Sequence, residues 1–190
     1  MPSPREKRLY ADYEGLKLLV RESSILQVDS RGQPPQMYRV RFHGWGLRLG
    51  ANGQIESTNE HEATIELGAA YPRMMPTIIW RTSIFHPNIS HNGVVCLGGF
   101  ATHWVPSVTL NQLCHMLWDM VRYQNFDSDS PYNREAALWI KSQTRVRFPV
   151  DSRPLRDRLA AGEQHGAQAT VVPAAHQRPM ETNPAEIVFL

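Results

Sequence analysis

Residues 77–113 read TIIWRTSIFHPNISHNGVVCLGGFATHWVPSVTLNQL, and the change of pattern within them sets the fold class. Thr77–Trp80 is a short β-branched and aromatic run, as expected for a strand. From Thr82 to Val108 neither a period of two nor a period of 3.6 persists, and a connection of that length argues for a functional loop. Thr109 then caps a helix. Gln112 completes a capping box with it, and Leu110, Leu113, Leu117, Met120 and Val121 form the apolar face.

Upstream lie three further strand-like runs, Ile25–Asp29, Tyr38–His43 and Ala63–Leu67, with Arg31-Gly32 and Asn52-Gly53 as turn signals. Ahead of them, Ser3, Pro4 and Glu6 make a capping box with proline at the first helical position. The helix that follows is predicted to bury Leu9, Tyr13, Leu16 and Val20, leaving Arg5, Lys7, Arg8 and Lys17 as an exposed basic face. Downstream, Ser130 or Asn133 caps a third helix running through Trp139, with Pro131 near its start. The order of helix, four strands, long loop and helices predicts an α+β domain with one four-stranded antiparallel meander.

Composition bounds the rest. The chain has 190 residues, a formal net charge of +2 and 42% hydrophobic residues, enough for a real core in one domain with an appendage. The near-neutral charge gives no electrostatic case for nucleic acid, and no apolar run is long enough to span a membrane. The first residues lack the apolar stretch of a secretory leader. With two cysteines, Cys96 and Cys114, a disulfide framework is not expected and a reducing cytoplasm is. Sixteen of the seventeen aromatic residues precede residue 149. The expected domain is therefore 3–148, followed by a Pro/Ala/Arg-rich tail over 149–190. Within the tail, Asp151–Ala161 is predicted to form a short helix. The apolar tip Ile187-Val188-Phe189-Leu190 either frays or docks, on a partner or on the domain's own sheet. The cations are uneven: seventeen arginines against three lysines.

The long loop contains His86-Pro87-Asn88-Ile89, then Asn92-Gly93-Val94-Val95-Cys96-Leu97, then Trp104-Val105-Pro106. Here the chain resembles the ubiquitin-conjugating enzyme family, whose mark is a His-Pro-Asn triplet, a cysteine eight residues after the Asn and a Trp about eight residues further on. Both intervals hold, from Asn88 to Cys96 and from Cys96 to Trp104. Tyr71-Pro72 upstream, and Ser130-Pro131-Tyr132-Asn133 with Glu135-Ala136-Ala137 downstream, extend the likeness over residues 5 to about 145.

The resemblance implies a UBC-like fold and a cysteine acyltransferase. Cys96 would receive a ubiquitin-like protein as a thioester from an activating enzyme and pass it to a lysine amine, with a ligase where one is used. ATP would be consumed by the activating enzyme, so neither a cofactor nor a metal is expected on this chain. Asn88 would hold the loop or stabilise the oxyanion, His86, Pro87 and Trp104 would be structural, and Arg5, Lys7 and Arg8 would face the activating enzyme. The chemistry agrees. Acyl transfer between thiols needs one accessible cysteine that serves as nucleophile and leaving group, and no His or Lys adjoins Cys96 in sequence to hold it as a standing thiolate. By composition alone Cys96 reads as a buried cysteine, but the two intervals favour function; Cys114, within an apolar helix face, reads as core. His43, His61, His91, His103 and His115 show no zinc-type interval with Cys96.

Three departures qualify the resemblance. Ser130 stands where many members carry an acid that conditions the incoming lysine, with Asp129 and Asp127 close by. Arg73 replaces the aromatic anchor that RING-type ligases grip, which argues against such a ligase. Residues 43–61 look unlike the family, which points to a distant branch such as the bacterial ubiquitin-like conjugation operons, some of them linked to phage defence. Two other functions remain open at this stage: a non-catalytic module of the same fold that binds a ubiquitin-like protein, and a thiol hydrolase, for which no His base is positioned. The lysine scarcity, most simply codon usage, also leaves 18–140 without a lysine that could act as a self-acceptor beside Cys96.

Overall fold

A computed structural model describes residues 1–98 and 104–159. Helix α1 (Pro4–Arg21) is followed by strands β1 (Leu26–Gly32), β2 (Pro35–Leu49), β3 (Ile55–Glu66) and β4 (Thr77–Trp80), then α2 (Leu110–Val121) and α3 (Arg134–Ser142). The strands form one antiparallel sheet in the order β1-β2-β3-β4, so the expected α+β meander is what the chain builds. The helix starts follow their local signals. Ser3 with Glu6 and Thr109 with Gln112 close capping boxes, and Asn133 rather than Ser130 caps α3, its side chain accepting from the Ala136 amide at 3.1 Å.

Leu9, Leu16 and Leu19 of α1 and Leu113, Cys114, Leu117 and Trp118 of α2 cover one face of the sheet. They meet Tyr38, Val40 and Phe42 of β2, Ala63 and Ile65 of β3, and Trp80 of β4. Phe42 stacks between Trp80 and Trp118, with centroids 6.3 and 6.1 Å away. Cys114 is fully buried as expected, and burial pushes its thiol up to about 12.

The buried stripe of α1 is Leu9, Asp12, Leu16 and Leu19, rotated from the predicted one, with Tyr13 and Val20 at its margin. A buried carboxylate is the cause. Asp12 accepts from Arg8 (2.6 Å), from the Tyr71 hydroxyl (2.6 Å) and from the Leu110 amide at the start of α2 (3.1 Å). An apolar count cannot find a stripe that contains a paired acid.

Residues 43–61, which broke the expected pattern, are the long end of the β2–β3 hairpin. Their register shifts between His43 and Gly46, where Gly44 lies so close to Trp118 that a Cβ would come within 2.3 Å of the indole. Packing also continues beyond residue 148. Asp151 accepts from the Trp45 amide at 2.9 Å, and Leu155 is 1% exposed within the core cluster. Helical residues begin only at Asp157, and the remainder of the segment predicted as a helix lies outside the described residues, as does the tip at 187–190. No helix among the described residues is long and apolar enough to cross a membrane.

Candidate active site

The eight-residue interval between Asn88 and Cys96 is a property of local backbone geometry. The Cys96 amide donates to the Asn88 carbonyl at 2.8 Å, Ile89 pairs with Val95, and the Ser90 and Val94 amides bond back across the turn. The segment therefore leaves and returns as a closed loop, with Asn88 and Cys96 side by side at its base. Gly93 (φ +79°) turns it. The Gly93 carbonyl accepts from the Trp80 amide at 2.7 Å, and Ile79 bridges to Val94, so the loop is docked on the outer edge of β4. A Cβ on Gly93 would sit 2.1 Å from the Trp80 carbonyl oxygen, which explains the glycine.

The His86-Pro87-Asn88 triplet is buried, and each residue serves the loop. His86 Nδ1 accepts from the Asn88 amide at 3.1 Å, while its buried Nε2 has no hydrogen-bond partner among the described residues. Burial pushes this imidazole down to about 3, so it is neutral and acts as a fixed acceptor. The Pro87 carbonyl accepts from both the Tyr132 and Asn133 amides at 2.8 Å, anchoring the start of α3. Asn88 makes a two-way clip: its Nδ2 donates to the Asp127 carbonyl (2.9 Å) and its Oδ1 accepts from the Asp127 amide (2.7 Å). Beneath the triplet, Tyr123 holds φ +61°, its ring set edge-on to His86 at 5.0 Å and stacked on Phe148 at 4.8 Å. Trp104 donates its indole N–H to the Pro72 carbonyl at 2.7 Å, tying the loop's far end to the Tyr71-Pro72 turn.

Cys96 is the half-exposed thiol of this assembly, at a small cleft of about 30 Å³ shared with Asn88, Met116, Met120, Asn125 and Asp127. The Tyr132 phenol stands against it. The negative charge that Cys96 carries when ionised raises the phenol's pKa, so Tyr132 stays protonated beside the sulfur. Asp127 Oδ1 accepts from the amides of Asp129 and Ser130, shaping the rim. The exposed Asp129 carboxylate holds Lys141 at 2.7 Å, and that hydrogen bond and charge lower its pKa. Thus the fold brings Cys96, Asn88, Asp129 and Ser130 to one region. Sequence reasoning singled out neither Tyr132 nor Tyr123, since nothing local marks them.

The basic face of α1 is narrower than predicted. Arg8 is used inside the molecule, on Asp12, on the Tyr71 hydroxyl and on the Pro106 and Val108 carbonyls. Arg5 donates to Gln36 and to the Leu67 and Gly68 carbonyls, leaving Lys7 as the exposed cation of the three. Arg73 is exposed, beside an exposed Met74. Among the described residues no three His, Cys, Asp or Glu side chains come together as metal ligands; His103 lies outside them.

Comparison with known proteins agrees with this fold. The family model described as ubiquitin-conjugating enzyme matches residues 48–152, more than half of the chain. Ubiquitin-conjugating enzyme E2 16 of Schizosaccharomyces pombe is 33% identical over 85 residues, covering 44% of this chain and 52% of that protein. The chain thus matches about half the length of that relative. Among solved structures, S. cerevisiae Ubc12 superposes with a TM-score of 0.58 at 19% identity, covering 75% of this chain and 74% of its own. A structure described as a novel ubiquitin-conjugating enzyme gives 0.53 at 21% identity, covering 72% and 84%. At such identities these two likenesses speak for the fold alone. On the family match and the architecture together, the chain belongs to the ubiquitin-conjugating enzyme family.

Proposed function

We propose that the chain accepts a ubiquitin-like protein on Cys96 from an activating enzyme and delivers it to a lysine amine. In the first step the Cys96 thiolate attacks the carbonyl carbon of the incoming thioester. A new C–S bond forms and the donor thiolate leaves. In the second, the amine attacks the same carbonyl, the C–N bond forms, the Cys96 sulfur departs with the electron pair, and the amine's proton is lost to solvent. The observation that carries this reading is the contrast between the two thiols: Cys96 is half-exposed in a loop closed on Asn88, whereas Cys114 is sealed in the core.

Asn88 holds the loop through Asp127, and its second Nδ2 hydrogen is the group left to meet an oxyanion. Tyr132 donates to the departing sulfur. Asp129 and Ser130 line the approach of the acceptor, and Lys7 with the outer part of Arg5 forms the surface offered to the activating enzyme. The exposed charge of Arg73 argues against a RING-type ligase. ATP is consumed by the activating enzyme, and this chain needs no cofactor of its own.

The test is to mix the chain with activating enzyme, ubiquitin-like protein and ATP and look for an adduct that thiol reductant removes. Cys96→Ala should abolish it and Cys96→Lys should convert it to a reductant-stable amide. A reductant-sensitive adduct on Cys96→Ala, or binding of the ubiquitin-like protein with no adduct at all, would overturn the proposal.

A further inference from the structure

The chain has three lysines, Lys7, Lys17 and Lys141. The first two stand on α1, which packs against α2, β1 and β2, and Lys17 is held there by Glu14 at 3.0 Å. Lys141 lies elsewhere, in the last turn of α3. A helical side chain tilts toward the start of its own helix. For α3 that start is the site, since Tyr132, one residue ahead of the cap Asn133, stands against the Cys96 sulfur. Lys141 Nζ donates to Asp129 Oδ1 at 2.7 Å. Asp129 is itself fixed to the rim, its amide donating to Asp127 Oδ1 at 2.8 Å, and Asp127 lines the cleft with Cys96 and Asn88. Two residues of chain span at most about 7 Å, so Asp129 and the amine it holds stay beside that cleft.

The pair is not a structural clasp. Its side chains are 51% and 89% exposed, and an exposed ion pair adds little to stability and opens freely. Once open, the flexible four-carbon stem of Lys141 carries a primary amine over the rim. We propose that Lys141 is a built-in acceptor, modified in cis by the acyl group on Cys96 when no other amine arrives; this rests on the thioester chemistry proposed above. The amine gives up its ammonium proton to solvent and attacks the thioester carbonyl. The C–N bond forms, the C–S bond breaks, the Cys96 sulfur leaves with the electron pair, and the remaining ammonium proton of the tetrahedral adduct goes to solvent. The products are an isopeptide on Lys141 and a free Cys96 thiolate. An amine tethered to the same fold acts at an effective concentration in the millimolar range or above, so the step needs neither a ligase nor a second copy of the chain.

Single-turnover decay of the charged full chain, without ligase or added amine, tests it. A reductant-stable adduct should appear at a rate independent of protein concentration and map to Lys141 by peptide mass spectrometry. Per charged chain, that rate should fall about tenfold or more in Lys141→Arg, which keeps a cation for Asp129 but removes the acylatable amine. An equal rate in Lys141→Arg would overturn the proposal. So would an adduct on Lys7, Lys17 or the amino terminus instead, a rate that rises with protein concentration, or a thioester that persists or hydrolyses without isopeptide. Each of these leaves the thioester chemistry of Cys96 standing, whereas a chain that never charges overturns both.

Discussion

Asn88 has two possible duties, and Asn88→Ala separates them. In the structure its side chain is 3% exposed and joins the active loop to the segment after α2 through two hydrogen bonds to Asp127, of 2.9 and 2.7 Å. Removing it deletes both bonds and leaves a partly buried amide and carbonyl without partners, which costs about 2–3 kcal/mol of folding stability. An oxyanion donor and nothing else would instead cost about 3 kcal/mol in the transition state, roughly a hundredfold in rate, with stability untouched. Urea unfolding measures the first quantity, and single-turnover discharge of a preformed thioester to free lysine measures the second. The geometry predicts a midpoint lowered by about 1 M or more, together with slower charging and slower discharge. Asn88→Asp should recover little, because it keeps the acceptor for the Asp127 amide but sets a carboxylate against the Asp127 carbonyl. An unchanged urea midpoint for Asn88→Ala, with discharge a hundredfold slower, would refute the reasoning.

Acid should destabilise the fold through two buried histidines. Burial holds His86 near 3 and His61 near 4, below the ordinary value, so the unfolded chain binds more protons at mildly acid pH. Their contribution is intact above about pH 6.5 and is lost as pH falls toward those values, about 2 kcal/mol from each by pH 5. A urea midpoint that stays constant from pH 7 to 5 would contradict this. The Asp12 junction predicts a separation between neighbouring α1 residues. Asp12→Ala leaves Arg8, the Tyr71 hydroxyl and the Leu110 amide without their common partner and should cost about 3–5 kcal/mol, whereas Lys7→Ala should change stability by less than about 0.5. Equal effects in thermal unfolding would count against the buried junction.

Much of the architecture was legible because its signals are local. The capping boxes at Ser3 and Thr109 and the turns at Gly32 and Gly53 depend on residues a few positions apart. So does the Asn88–Cys96 interval, which one backbone hydrogen bond closes into a loop. The α1 stripe and the basic face were misread for a shared reason. Asp12 and Arg8 look like surface residues until Tyr71, Pro106, Val108 and Leu110 arrive to pair with them.

The lysine distribution shows the same limit. No lysine lies between residues 18 and 140, yet α3 folds Lys141 back onto Asp129, at the rim of the site from which the linear count had excluded it. The sequence by itself determined the order of elements, the loop closed between Asn88 and Cys96 and the burial of Cys114 on an apolar helix face, since each rests on periodicity or on contacts within a few residues. Tertiary structure alone decided that Asn88 clips Asp127, that Tyr132 faces the thiol, and that Arg8 is bound inward. Those roles are set by partners 36 to 100 residues away in the chain, where side-chain pairing and exclusion of water, not local propensity, choose the neighbour.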